Sequence, residues 1–323
     1  MTLRIGMLST ARINAKLAAG ARASSRARVV AIASRQLERA EAQARELGVE
    51  RAHGSYDALL ADPGVDAVYV SLPNEMHHEW TMHALAAGKH VLCEKPYSRS
   101  AAEVTEAFAA ADAAGVVLAE AFMWRHHPQT LKLAELVAGG AIGDLRLVRA
   151  AFSFLLDDPR DVRLLEELDG GGTMDVGCYC VSGARLLAGD PVSVTAQQLL
   201  APSGVDRRLT ATLAHAGDVL THFDCALDLP DRSELEAIGS EGVLRVSDPW
   251  HGIRTGIDLV REDGHAEHLE FAPANPYGCE LDDLAGAIAG EHPPRLGAAD
   301  ALGQARTIDA ILTAASSGRR VEL

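Results

Sequence analysis

The sequence predicts two α/β domains: a doubly wound parallel sheet first, then an α+β domain with a large, mostly antiparallel sheet. Three observations carry this. The chain has 323 residues, about two domains at roughly 100 to 200 residues each. Up to about residue 120, short and nearly all-apolar runs alternate with alanine-rich stretches of helical period, as expected for parallel strands buried on both faces. From about residue 145 the texture changes to period-2 runs separated by turn signals, the pattern of antiparallel strands.

The strands expected in the first part are Leu3 to Leu8, Val29 to Ala33, Ala67 to Leu72, His90 to Cys93 and Val116 to Ala119. Between them, Leu37 to Leu47 puts Leu37, Ala40, Ala44 and Leu47 on one helical face, and Ala101 to Ala114 is a second helix. Strand and helix alternating at that spacing indicate βαβ units. In the second part Leu209, Ala211 and Leu213 alternate with Thr210 and Thr212 before a turn at Ala216-Gly217-Asp218. Val219 to Leu227, Leu235 to Ile238, Val243 to Val246 and Ile257 to Val260 continue as strands, and Asp263-Gly264 is a hairpin turn. Helices are expected at His127 to Ala138, Met174 to Leu187, Leu281 to Ala289 and Ala299 to Ala315. With no repeat and no Pro/Ser-rich spacer, the boundary falls at a packed hinge, giving domains 1–121 and 122–323.

Composition narrows the partners. Hydrophobic residues make 48% and charged residues 23% of the chain, an ordinary globular balance. Thirty Lys and Arg against 45 Asp and Glu leave a net charge of −15, which repels polyphosphate backbones and acidic lipids. Nucleic acid and membrane surfaces are therefore not expected as partners. Met1-Thr2-Leu3-Arg4 leads into one short apolar stretch before Arg12, and no apolar run reaches the roughly 18 residues of a spanning helix. A cytoplasmic location is expected. The cysteines (Cys93, Cys178, Cys180, Cys225 and Cys279) are odd in number and lack CxxC spacing, so they read as reduced.

Three constellations can carry chemistry. The first strand ends Gly6-Met7-Leu8-Ser9-Thr10-Ala11-Arg12-Ile13. Against the dinucleotide fingerprint, Ser9, Ala11 and Asn14 stand where the three glycines normally are. The turn stays small, so Ser9, Thr10, Ala11, Arg12 and Ile13 can offer amides and hydroxyls to a pyrophosphate at a helix N-terminus. A plain strand-to-helix turn is the other reading. The second strand ends Ala33-Ser34-Arg35-Gln36, where an NAD-specific domain usually puts an acidic residue for the ribose hydroxyls. With no carboxylate to repel a 2′-phosphate, Ser34 can donate to it and Arg35 can pair with it or stack on adenine, with Arg39 one turn further on. NADP is expected in preference to NAD.

Ser71-Leu72-Pro73-Asn74 and Cys93-Glu94-Lys95-Pro96 fall at the carboxyl ends of the fourth and fifth strands, where open α/β sheets bind ligands. Leu72, Pro73, Asn74, His77 and Glu94 are expected beside the cofactor. Lys95 can hold an oxyanion or adjust a neighbour's acidity, a surface lysine in a turn being the plain alternative. The third constellation is Gly170-Gly171-Gly172-Thr173-Met174-Asp175-Val176-Gly177-Cys178-Tyr179. Asp175 and Tyr179 are four apart and share a face on a helix. A free phenol titrates near pH 10, and a nearby ammonium would make it a more competent acid and base. A capping Gly run with a core tyrosine is the alternative.

In this order, Ser9-x-Ala11, Ala33-Ser34-Arg35, Glu94-Lys95-Pro96 and Gly171-Gly172-x-x-Asp175-x-Gly177-x-Tyr179 resemble the Gfo/Idh/MocA oxidoreductases, over nearly the whole chain. Tyrosine at 179, where the inositol dehydrogenase branch has histidine, is similar to the branch of glucose-fructose oxidoreductase, dimeric dihydrodiol dehydrogenases and NADP-dependent xylose dehydrogenases. The resemblance implies a Rossmann domain followed by a substrate domain. It also implies that Lys95 orients the reacting oxygen, that Tyr179 exchanges its proton and that Asp175 hydrogen-bonds beside them. Glu120 to Pro128 resembles the family's crossover segment, with Arg125 reaching toward the cofactor. The missing fingerprint glycines are the departure.

Of the thirteen histidines, His78 and His83 sit five apart, off the four-residue zinc-protease spacing, so no metal is expected. The expected function is NADP(H)-dependent hydride transfer on a sugar, cyclic polyol or diol, with a non-catalytic cofactor-binding regulator as the rival. Substrate-pocket residues are expected from Phe152 to Arg163 and from loops of the antiparallel sheet. A homodimer or homotetramer is expected through the outer sheet face. There Leu220, His222, Asp224 and Ala226 form a face neither core-like nor fully polar, extended by Thr210 and Thr212 or by Leu209 and Leu213 according to register.

Overall fold

The computed structural model describes residues 2–323. The chain begins β1 (Leu3–Leu8), α1 (Asn14–Ala23), β2 (Ala27–Ala33), α2 (Leu37–Leu47), β3 (Arg51–His53), α3 (Tyr56–Leu60), β4 (Ala67–Val70), α4 (His77–Ala86), β5 (His90–Glu94), α5 (Ala101–Ala114) and β6 (Leu118–Ala121). It continues with α6 (Pro128–Ala138), β7 (Leu145–Leu155), α7 (Cys178–Ala188), β8 (Pro191–Leu200), β9 (Asp206–His215), β10 (Leu220–Ala226) and β11 (Asp228–Gly239). It ends with β12 (Gly242–Val246), β13 (Ile257–Arg261), β14 (Ala266–Leu269), α8 (Pro276–Ile288), α9 (Ala298–Ser317) and β15 (Val321–Glu322). Two compact units result: the chain to His126 with Asn275–Leu302, and His127–Ala274 with Gly303–Leu323.

The first unit is built on a six-stranded sheet of order β3-β2-β1-β4-β5-β6, every pair parallel. Its strands are nearly all apolar because both faces are covered, with Ile5, Met7, Ile32, Val68 and Val91 at 2% exposure or less. The strand order reverses between β1 and β4, and the loops after these strands flank the switch point where such sheets take ligands. Local signals set the helix ends: Ser100 caps α5 by accepting from the Glu103 amide, and Gly115 ends it at φ 67°.

This unit also takes in Asn275–Leu302, which the expected division at 121/122 left with the second domain. The reason is packing at long range. A Cβ on Gly20 of α1 would lie 2.5 Å from Tyr277 Cβ and 2.8 Å from the Gly278 nitrogen, so only glycine lets α8 sit this close. Ser24 bonds Asp282 and Arg26 pairs with Glu291 at 2.7 Å. Helix α8 also begins earlier than the expected Leu281, because Asn275 accepts from the Tyr277 and Gly278 amides and Pro276 opens the first turn.

The second unit holds a nine-stranded sheet of order β14-β13-β12-β11-β7-β10-β9-β8-β15. Its pairs are antiparallel except β7 with β10. The expected hairpin joins β13 to β14, with Gly264 at φ 82°. Thr221, Phe223 and Cys225 are buried along β10, as the alternation predicts. The register pairs His222 with Thr212 and Asp224 with Thr210, so the threonines extend the outer face and Leu209 and Leu213 are core. Ala226 departs from expectation: it is fully buried at 0% exposure and is no part of the open face. Helix α7 packs on the inner face, where a Cβ on Gly183 would stand 3.1 Å from the Trp250 ring. Among the described residues no helix is long and apolar enough to cross a membrane.

The expected single helix over Met174 to Leu187 is two segments, a π turn at Thr173–Gly177 running into α7. The glycine run before it folds around Asp206, the first residue of β9. Asp206 Oδ2 accepts from the Thr173 amide at 2.7 Å and from its hydroxyl at 2.8 Å. Gly171, at φ 120°, leaves no room for a side chain against the same carboxylate. Burial raises the Asp206 carboxyl to about 6. A carboxyl that holds its proton more tightly folded than unfolded stabilises the fold below about pH 4 and loses that contribution as pH rises to about 6. Asp206→Asn, permanently neutral, should lack this term. Urea unfolding at several pH values should show wild type losing about 2 kcal/mol relative to the variant across that window; parallel curves would remove Asp206 from this account.

Candidate functional site

In the first unit, Ser9 occupies the position of the first fingerprint glycine and adopts a glycine-like φ of 145°. Such a conformation is costly for an L side chain and needs support from its surroundings. Hydrogen bonds supply it. Ser9 Oγ bonds the Ser71 carbonyl at 2.9 Å and the Ser71 hydroxyl at 2.8 Å, and accepts from the Ala11 amide at 3.0 Å. Asn14, fully buried where the third glycine would be, donates to the Ser9 carbonyl and to Gln43, and accepts from Ser71. The Ser9 hydroxyl, expected as a phosphate donor, is therefore engaged within the turn. Thr10, Ala11 and Ile13 stay partly exposed and Arg12 is exposed, ahead of an α1 that starts without a side-chain cap.

At the end of β2, Ser34 is buried and its hydroxyl accepts from the Gln36 amide at 3.3 Å. Arg35 and Arg39 are exposed. Both act on the Tyr56 phenol, whose acidity is weakened by burial and partly restored by these two guanidinium groups. Both arginines thus lie near Tyr56 at the carboxyl end of β2, with no carboxylate at 34, 35 or 36. This donor set suits a phosphate monoester beside a ribose.

The loops after β4 and β5 are tied to each other. His77, fully buried, has one ring nitrogen 2.9 Å from the Leu72 carbonyl and the other 3.0 Å from the Pro96 carbonyl. Burial lowers its basicity despite these acceptors. His77 was expected to contact the cofactor; its 0% exposure makes it a brace between the two loops. Leu72 is nearly buried, and Pro73 and Asn74 remain partly exposed beside it. Glu94 accepts from the Tyr69 hydroxyl and, at 3.3 Å, from the Lys95 amide. Lys95, joined to Pro96 by a cis peptide, is partly exposed at this strand end. Arg125, 8% exposed, lies 3.5 Å from Asp300 and over the Trp124 ring.

In the second unit, Asp175 stands in the π turn and Tyr179 in the first turn of α7. The Tyr179 ring, 8% exposed, lies edge-on to Phe152 at 5.2 Å and to Trp250 at 6.0 Å, and His251 is edge-on to Phe152 at 5.4 Å. Trp250 is anchored by its ring N–H on the Ala151 carbonyl at 2.9 Å. Its loop is held by Asp248, which accepts from the Ile253 amide at 3.0 Å. Arg163 reaches the Asp175 carboxylate at 2.7 Å, and that carboxylate, with Asp161 adding to it, holds the guanidinium above its ordinary basicity. Phe152 and Arg163, the two ends of the segment from which substrate-pocket residues are expected, thus lie against Tyr179 and Asp175. Trp250 and His251 were not anticipated, because no local spacing links the turn after β12 to α7. Among the described residues no group of three or more His, Cys, Asp or Glu is placed to hold a metal ion.

Residues 3–122 match an oxidoreductase family with an NAD-binding Rossmann fold, GFO/IDH/MocA, and residues 130–245 match the GFO/IDH/MocA C-terminal domain. The chain is 39% identical to D-xylose 1-dehydrogenase (NADP(+)) 2 of Haloferax volcanii, over 99% of this chain and 100% of that one. It is 34% identical to human trans-1,2-dihydrobenzene-1,2-diol dehydrogenase, over 88% of this chain and 85% of the relative. The crystal structure of KijD10, a 3-ketoreductase from Actinomadura kijaniata with NADP and TDP-benzene, superimposes with a TM-score of 0.90 at 31% identity, covering 97% of this chain and 98% of that one. The sheet order, the two motif-bearing strand ends and the Asp175 to Tyr179 segment thus belong to a chain that is a member of the GFO/IDH/MocA family of oxidoreductases.

Proposed function

We propose that the protein is an NADP(H)-dependent oxidoreductase that interconverts a secondary alcohol and a carbonyl carbon on a sugar, cyclic polyol or diol. The observation that carries this reading is the setting of Tyr179: a phenol four residues after Asp175, nearly buried against Phe152 and Trp250. Aromatic walls with a few fixed polar groups are what a small polyhydroxy ring needs for orientation. The named activities of the xylose and dihydrodiol dehydrogenases support the substrate class, and the NADP in the KijD10 structure supports the cofactor. Ser34, Arg35 and Arg39 fit the extra phosphate of NADP.

When bound, the cofactor supplies or accepts the hydride. Tyr179 gives its phenolic proton to the carbonyl oxygen during reduction and takes one from the hydroxyl during oxidation. Lys95 serves as the ammonium that orients the reacting oxygen. Asp175 accepts a hydrogen bond from a substrate hydroxyl. The phenyl and indole faces exclude water and fix the ring plane.

The same reading includes a two-fold oligomer through the open face of the nine-stranded sheet. That face carries Leu220 at 47% exposure, His222, Thr210 and Thr212, with ion pairs such as Arg232–Asp224 and Arg245–Glu236. Such mixed apolar and polar character suits a self-complementary, partly wet interface.

Three measurements test these points. Tyr179→Phe should lower kcat by roughly 10² to 10⁴-fold with NADPH affinity kept, and Lys95→Met should do similar damage; near-normal turnover in folded Tyr179→Phe rejects the role. Arg35→Ala should weaken NADPH binding by about 1.5 to 3 kcal/mol in a fluorescence titration while sparing NADH; equal losses would refute the phosphate contact. Light scattering at micromolar concentration should show at least a dimer that Leu220→Arg dissociates, whereas a monomeric wild type would end the interface proposal alone.

A further inference from the structure

Arg163 holds the Gly170 to Asp175 turn at both of its ends. Its backbone carbonyl accepts from the Gly171 amide at 2.8 Å, and a Cβ on Gly170 would lie 2.5 Å from that oxygen. Its guanidinium reaches past the turn to Asp175, with Nε 2.7 Å from Oδ2. On the other side, Nη1 lies 3.1 Å from Asp161 Oδ1, and Asp161 also accepts from the Arg163 amide at 3.1 Å. Asp161 and Asp175 keep only 9% and 16% of their side-chain surface, so the fork is held between two nearly buried anions.

We propose that Arg163 is the positioning residue of the active site: it fixes the rotamer and charge of Asp175, so that this carboxylate meets the substrate as an acceptor in one orientation. This rests on the reading of Asp175 and Tyr179 as reacting groups. A planar guanidinium is suited to the task because two of its N–H groups lie in one rigid plane and face two different carboxylates. A lysine ammonium is a point charge, and it can neutralise Asp175 without setting its direction. A carboxylate that turned freely would still bind sugars but would present the reacting carbon less often in a productive pose, which reduces kcat more than it raises KM.

A purely structural staple for the loop over 156–169 would make a different prediction, because its loss would act whether or not Asp175 is charged. The experiment is a double-mutant cycle between Arg163→Met and Asp175→Asn, with Arg163→Lys, Asp161→Asn and Tyr179→Phe alongside. Initial rates are followed by NADPH absorbance, and far-UV circular dichroism confirms folding. Arg163→Met should lower kcat about 10 to 100-fold with the KM for NADPH unchanged, and Arg163→Lys should recover only part of the loss. In the Asp175→Asn background the further loss should be about twofold or less, since the two residues act through one another. Asp161→Asn, which leaves the Asp175 arm intact, should cost about threefold or less. An equal loss from Arg163→Met in both backgrounds, or near-wild-type kcat in folded Arg163→Met, overturns the proposal while leaving the catalytic reading standing. Normal turnover by both Asp175→Asn and Tyr179→Phe would instead overturn the catalytic reading, and the positioning role with it.

Discussion

The second unit depends on a single buried carboxylate. Asp206 sits at the start of β9 with 5% exposure, and its two hydrogen bonds to Thr173 decide where the glycine run turns into helix. Leaving such a group unpaired in a low-dielectric interior costs several times what the bonds contribute, so the turn has one stable way to fold. Gly171 is required there because its φ and its contact with Asp206 both exclude a side chain. The π turn follows, and with it the placement of Asp175 and Tyr179. Single π turns of this kind often mark functional positions in helices. Gln304 supports the same segment from α9, donating to the Cys178 carbonyl at 2.7 Å while Arg185 bonds its other end.

The first unit solves a comparable problem with neutral groups. A dinucleotide fingerprint normally uses glycines where the backbone must take a positive φ and approach a pyrophosphate closely. Here a serine takes that conformation and is locked by Ser71, Asn14 and, through Asn14, Gln43. The missing glycines are thus replaced by a closed hydrogen-bond network, whose polar atoms satisfy one another out of solvent. His77 does similar work for the loops after β4 and β5, joining the Leu72 and Pro96 carbonyls across the strand end that carries Lys95.

Much of this was legible in the sequence because it follows from local period. The all-apolar runs marked β1, β4 and β5, and the alternation of Leu209 to Leu213 and Val219 to Leu227 marked the second sheet. Lys95 is legible as a side chain at a strand end, whereas the one-helix spacing of Asp175 and Tyr179 does not reveal the π turn that separates them into two segments. What escaped depends on contacts between residues far apart in sequence. No spacing reveals that Tyr277 will fit against Gly20, so the return of α8 to the first unit could not be read. Alternation puts Ala226 on the open face, yet this small side chain is fully buried, between its strand partners Ser153 and Arg208. Asp206 and Arg163 look like ordinary strand and loop charges until the fold brings them to Thr173 and Asp175. For His77, expected beside the cofactor, no spacing reveals that its buried ring lies between the Leu72 and Pro96 carbonyls.

The central claim is that Tyr179 and Lys95 serve hydride transfer to a carbonyl carbon of a sugar-like substrate and not cofactor binding alone. Its most direct test is to incubate the protein with NADPH deuterated at nicotinamide C4 and a panel of keto-sugars, aldoses and cyclic hydroxyketones, then locate the label by mass spectrometry. The account predicts one deuterium on the newly formed carbinol carbon of at least one product, with transfer abolished in Tyr179→Phe. Tight NADPH binding without label in any product across the panel would contradict it, and would make the protein a cofactor-binding regulator.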